Sequence, residues 1–177
     1  SAPSVGFCNT MGTAATMNSL SEAMGMMLTD GAMIPAPHRD RDEMAYRTGR
    51  VAVEAVQRNA RPRSILTREA FENAVVMCAA IGGSTNAPIH LNAIAAHLGI
   101  SLTNDDWQRI GHRIPLLVDM QPVGDYLGED FFRAGGVPAV MGELIDAGLL
   151  PWPDAPTVNG LSVRENCGDR RTRDTAV

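Results

Sequence analysis

Apolar residues along this chain recur every three or four positions in short runs, and each run is cut off by glycine or proline. That spacing is the signature of helices with one buried face, so helices must supply most of the layers that cover the core. Residues 13 to 28 read as a first helix, with Ala14, Met17, Leu20, Met24 and Met27 or Leu28 on one stripe. A second starts at Asp40 or Asp42 and carries Met44, Val51, Ala52, Ala55 and Val56 before Arg61-Pro62-Arg63 ends it. Thr67 is an N-cap for a third, which places Phe71, Val75 and Cys78 on its core side. A fourth runs from the Gly82-Gly83-Ser84-Thr85-Asn86 break to about Leu98, and Thr103 with Asp106 opens a fifth through Arg113.

Further on, Pro115 to Val118 is short, apolar and bounded like a buried strand with Asp119 at its end, and Val158 to Val163 reads as a hairpin or paired strands. Helices over Asp130–Ala134 and Val137–Ala147 flank Gly135-Gly136. Short apolar stretches between helices are what an α/β layered domain supplies, so the expected class is α/β, a helix-rich partial α/β/α arrangement; an all-α domain is the alternative. Three prolines between Leu150 and Pro156 mark the one strong linker candidate, giving residues 1–150 as a partial α/β domain and 151–177 as a linker and passage toward a second domain.

Length and charge bound the function. A chain of 177 residues with 45% hydrophobic residues is about one domain with a core of its own. A net charge of −5 without a basic run argues against a nucleic-acid partner. Apolar runs far shorter than a bilayer span and an N-terminus without a basic-then-apolar pattern argue against a membrane partner or a leader, and the expected location is the cytoplasm. Because the chain opens on Ser1 and its chemistry starts within ten residues, Ser1 is not expected to be the natural beginning. All 15 basic residues are arginine, so Schiff-base chemistry, a phosphate-loop lysine and a lysine base are excluded within these residues. Cys8, Cys78 and Cys167 stand too far apart for a Cys-x-x-Cys site.

Two segments share one design. Cys8 to Ala14 and Gly82 to Ala87 both place glycine and hydroxyl or amide residues at a helix start, where unpaired backbone N–H groups and the helix dipole can hold an anion, a thiolate or a cluster. Cys8 read alone is either a ligand or a packed thiol. His90 lies one turn after Asn86 and can face the same helix start, or it is an ordinary hydrogen-bonded histidine. Asp119 is a ligand candidate by its place at a strand end, or a turn residue.

Taken together, Cys8–Met26, Ile65–Ala74, Gly82–Leu91 and Ala134–Val140 occur in an order that resembles the dihydroxy-acid and sugar-acid dehydratase family. Asn9-Thr10-Met11-Gly12 is more similar to its sugar-acid branch, such as arabinonate or xylonate dehydratases. The resemblance implies a hydro-lyase that converts a 2,3-dihydroxy acid to a 2-keto-3-deoxy acid. It also implies an iron–sulfur cluster, 2Fe-2S or 4Fe-4S, on three cysteines beside Mg2+, a small-molecule sugar-acid substrate, and a homodimer or homotetramer.

By that match Cys8 is the last of the three cluster cysteines, and Thr10, Ser84, Thr85, Asn86 and His90 are substrate-binding or cluster-supporting residues. Cys78 and Cys167 match no cluster motif. Two cluster cysteines, magnesium-binding acids and a modified lysine belong to family motifs expected before Ser1, and a metal-binding glutamate and a serine base to a later domain. The chain is therefore expected to be an internal piece of the cluster-binding N-terminal domain, inactive alone. The competing expectation is a non-catalytic α/β binding or interaction module that has lost its metal sites.

Overall fold

The computed structural model describes residues 8–177. Gly6 and Phe7, which precede the cysteine in its motif, lie outside the described residues. Within them the chain forms nine helices: α1 (Thr13–Ala23), α2 (Asp40–Gln57), α3 (Pro62–Ile65), α4 (Arg68–Ala80), α5 (Ala87–His97), α6 (Asn104–Gly111), α7 (Gly128–Ala134), α8 (Gly136–Asp146) and α9 (Val163–Cys167).

Helix α4 is the hub. Its stripe from Ala70 to Ala80 is buried almost throughout, with Phe71 and Met77 wholly enclosed, and α1, α5, α6 and α8 all pack against it. Burial of this kind on two sides is why α4 is wholly apolar after Asn73. Polar residues then lock the neighbours in place. Arg68 of α4 pairs with Glu72 at 2.9 Å and with Asp106 of α6 at 2.7 Å. Thr103 and Asp106 form the expected capping box of α6. The Arg68 and Arg109 guanidiniums and the Thr103 amide hold the Asp106 carboxyl well below the usual carboxylate range.

Three expectations are corrected. First, α1 ends at Ala23 rather than near residue 28. Gly25 turns the chain at φ 78°, and a side chain there would press on the Pro156 carbonyl at 2.8 Å. Glu22, buried one residue before the helix ends, accepts the Asp30 and Ala32 amides at 2.8 Å each and so fixes the loop that follows.

Second, the layered α/β arrangement is absent among the described residues, which contain helices and only two isolated bridges, Met120 to Tyr126 and Pro156 to Ser162. The expected strand at Pro115–Val118 joins no ladder, and the donors along it go to separate elements: the Leu117 amide to Ala80 at the end of α4, the Asp119 amide to Val177 at the C-terminus. A ladder needs one neighbouring strand to take both.

Third, the Leu150–Pro156 stretch is packed rather than free. Asn73, fully buried in α4, donates to the Trp152 carbonyl at 2.8 Å and accepts its amide at 3.1 Å, as a sheet partner would. From there α9 lies on α8, and the chain returns past the α7–α8 turn, where the Arg173 amide donates to the Ala134 carbonyl.

Helix α2 stands apart. It touches the body through Met44 and Val51, which meet Leu28, Ile34 and Phe132 in a small second cluster. No helix of the described residues is long and apolar enough to cross a membrane.

Candidate functional site

The segment from Cys8 to Gly12 is held from both sides before α1 begins. The Asn9 carbonyl accepts the Gly128 amide at 2.7 Å, and the Met11 amide donates to the Gln121 carbonyl at 2.7 Å. With its backbone engaged inward, the segment leaves the Cys8 thiol exposed. The Thr10 hydroxyl lies 3.4 Å from its sulfur, and the Thr10 carbonyl 3.6 Å. Above all the Thr10 hydroxyl, then its backbone, then Gly12 hold the thiol below its ordinary value, against a small opposing effect of burial. Hydrogen bonds that favour the charged form therefore prevail here.

The other two cysteines are the reverse case. Burial pushes the Cys78 thiol up to about 11 and the Cys167 thiol up to about 12. A thiol so protonated is an inert packing group, as the sequence indicated for Cys78.

The second segment, Gly82 to Asn86, comes to the same end of α1. Gly82 turns the chain at φ 62°, and Gly83 sits where a side-chain carbon would come within 2.7 Å of Cys78 Sγ and 3.0 Å of Thr16. Only glycine lets the loop lie this close to α1. The Ser84 amide then donates to the hydroxyl of Thr16, a fully buried residue, at 3.0 Å. Asn86 donates its side-chain N–H to Thr13 Oγ1 at 2.8 Å, and the hydroxyls of Thr13 and Ser84 are 3.1 Å apart. Because Thr13 oxygen already accepts from Asn86, its own proton can go to Ser84, which also accepts the Asn86 amide at 3.2 Å.

Neither α1 nor α5 has a side-chain cap; the start of α1 leaves backbone N–H groups available, whereas at α5 the Ala87 amide donates to the Ser84 carbonyl and Pro88 has no N–H. Thr85 is exposed on the rim of a shallow groove of about 350 Å³ shared with Trp107, Gln108 and His112. His90 is exposed one turn into α5, and His97 and His112 are exposed as well. The structure thus brings Ser84 and Asn86 against the helix that Cys8 and Thr10 precede, and leaves Thr85 and His90 on the surface. Thr13 and Thr16, the two hydroxyls that join the segments, were not singled out from sequence. Their spacing of three on one helix face was the signal.

Two buried acceptors lie beside the cysteine segment. Asn9 Oδ1 and Glu129 Oε2 have no hydrogen-bond partner among the described residues, although Glu129 Oε1 meets Arg133 at 2.5 Å. Gly128 joins them: a side chain on it would approach Asn9 Oδ1 at 3.4 Å.

As to metals, Cys8 has the exposure and acidity of one thiolate ligand. Among the described residues no group of three or more His, Cys, Asp or Glu side chains could hold an ion, and Asp119 is exposed outside any such group. The donor set fits one corner of a cluster and does not fit a magnesium site. A separate cavity of about 280 Å³ opens at the other end of α1, between Glu22, Asp30, Arg47, Arg170 and the Gly135-Gly136 turn, and includes none of the candidate residues.

Comparison with known proteins bears on these motifs. A family model described as dihydroxy-acid/6-phosphogluconate dehydratase N-terminal matches residues 1–166. The D-xylonate dehydratase of Caulobacter vibrioides is 53% identical over all 177 residues, which correspond to 29% of that protein. The dihydroxy-acid dehydratase of Acidothermus cellulolyticus is 49% identical over 167 residues, 94% of this chain and 30% of that protein. Dihydroxy-acid dehydratase 1 of Nocardia farcinica is 49% identical over 164 residues, 93% of this chain and 29% of that protein. The chain spans less than a third of the length of these relatives, and across that span it belongs to the dihydroxy-acid/6-phosphogluconate dehydratase family, within the N-terminal domain.

Proposed function

We propose that this chain is the part of a sugar-acid hydro-lyase that presents the last cysteine ligand of an iron–sulfur cluster, with the substrate site beside it. The reaction removes the C2 proton and the C3 hydroxide of a 2,3-dihydroxy acid as water, and the resulting enol becomes the 2-keto-3-deoxy acid. The observation that carries this reading is the Cys8 thiol, exposed and held below its ordinary value at the start of α1, with the Ser84–Asn86 loop hydrogen-bonded to the same helix start.

A bound cluster with an open iron supplies a Lewis acid for the departing hydroxyl. This chain's residues prepare the ground for it. Thr10 favours the thiolate form of Cys8, and the Asn9 and Met11 backbone bonds fix where the sulfur points. The uncapped start of α1 gives a positive end to an anionic group. Magnesium and the base belong to family motifs outside these 177 residues. A layered α/β arrangement is proposed for the complete domain only, where the extended 114–120 segment would find a neighbouring strand.

The sugar-acid branch is favoured by the match to a D-xylonate dehydratase over the whole chain at 53% identity, against 49% for the dihydroxy-acid relatives. Purified full-length protein is expected to form keto acid from D-xylonate faster than from a branched-chain 2,3-dihydroxy acid, and the 177-residue chain alone to form none. Keto-acid formation by the isolated chain would overturn this reading, and a full-length protein inactive on both substrates would favour a binding module instead.

A further inference from the structure

The cavity of about 280 Å³ at the C-terminal end of α1 is walled by opposite charges. The chain's last residues and the start of α8 build one wall. The Arg173 amide and the Thr172 hydroxyl both donate to the Ala134 carbonyl, which seats the tail beside the α7–α8 turn, and Arg170 is held by Asp30 at 2.9 Å. At the turn, Gly136 and Val137 are buried, yet neither backbone N–H has a partner among the described residues. Only Pro138 Cδ, at 3.9 Å, comes near a side-chain carbon placed on Gly136, so these donors face the cavity rather than packed side chains. Buried N–H groups are almost always paired, and beside the Arg173 guanidinium at the start of an 11-residue helix they suit a carboxylate.

Helix α2 builds the opposite wall, with Asp40 and Glu43 in its first turn. Glu43 enters no ion pair among the described residues, not even with Arg47 one turn on, where the order of the two favours one; Arg173 has none either. Asp40 meets only the exposed Arg39, at 3.9 Å. The other two acids of the cavity are already engaged, Glu22 by two backbone amides and Asp30 by Arg170. Between the walls lie the apolar side chains of Met33, Met44 and Phe132. A plain anion would satisfy the α8 wall and meet like charge on α2, and a plain cation the reverse. A ligand carrying both charges close together satisfies both walls.

We propose that this cavity binds a small zwitterion, an α-amino acid with an apolar side chain: its carboxylate on the α8 start and Arg173, its ammonium on Glu43 and Asp40, its side chain against Met44 and Phe132. The site is independent of the cysteine segment, from which the 11-residue α1 separates it by about 16 Å.

Saturation-transfer NMR on the full-length protein tests it, with L-norleucine as the probe. A ligand of this size is expected to bind at about millimolar concentration. D-xylonate should leave that binding unchanged. Hexanoate, which lacks the ammonium, and pentylamine, which lacks the carboxylate, should each bind at least about tenfold more weakly, and Arg173→Gln and Glu43→Gln should each weaken norleucine binding to a similar degree. Absence of a saturable norleucine signal, hexanoate or pentylamine binding as tightly as norleucine, displacement by D-xylonate, or indifference to both substitutions would each overturn the proposal. Arg173 and Glu43 are exposed and stand on separate elements, so either variant decides the question if the other fails to fold, and far-UV circular dichroism reports which are folded.

Discussion

The two ends of α1 carry the same kinds of groups and treat them in opposite ways. At the C-terminal end Glu22 is buried and both its oxygens are taken by backbone amides, while Cys167 nearby is packed and protonated. At the N-terminal end the Cys8 thiol is exposed and held below its ordinary value, the helix start is uncapped, and Asn9 and Glu129 each keep an acceptor without a partner among the described residues. One end is saturated and holds the fold together. The other is left incomplete, which is what a site for something else requires.

The contrast predicts unequal costs. Glu22→Ala would strand two amides and destabilise the chain by about 2–5 kcal/mol in urea unfolding, while Cys8→Ser should stay within about 0.5 kcal/mol. Equal costs would erase the distinction between the ends.

The saturated end also predicts a pH dependence. Burial raises the Glu22 carboxyl to about 8, although the Ala32 and Asp30 amides pull it down. The native state therefore keeps a proton that the unfolded chain releases near 4.5. Its contribution is complete below that value and lost as pH rises through about 8, with a slope of up to about 1.4 kcal/mol per pH unit. Urea unfolding across this range should show stability falling, and Glu22→Gln should flatten the curve.

Within the incomplete end, the hydroxyl bridge is a smaller term. Thr13→Val removes the acceptor of Asn86 and the partner of Ser84, and is expected to cost about 1 kcal/mol, with Thr13→Ser close to wild type. Smallest in stability, yet most selective, is thiol chemistry: iodoacetamide at neutral pH should label Cys8 in the native chain and reach Cys78 and Cys167 only on unfolding. Native labelling of all three at similar rates would contradict the assignment of roles.

Much of the helical content was legible because local signals decide it. The stripe of α4, the Thr103–Asp106 box of α6 and the glycine breaks at 82–83 and 135–136 each act within a few residues. What stayed hidden depends on distant partners. Asn73 pins Trp152 across 79 positions, and Leu117 and Asp119 spend their amides on Ala80 and Val177, so neither the packed proline stretch nor the missing ladder has a local mark. At the site, the Cys8 and Gly82–Asn86 motifs were visible as similar helix starts. Their meeting through Thr13 and Thr16 was not, since each hydroxyl read locally is only a polar residue at a helix start.

Cys8 is proposed as the cluster ligand that this chain contributes. Cys8→Ser in the full-length protein tests it most directly, read by visible charge-transfer absorption alongside keto-acid formation. The expected result is loss of both while the helical circular dichroism is kept, and unchanged absorption with unchanged turnover would contradict it.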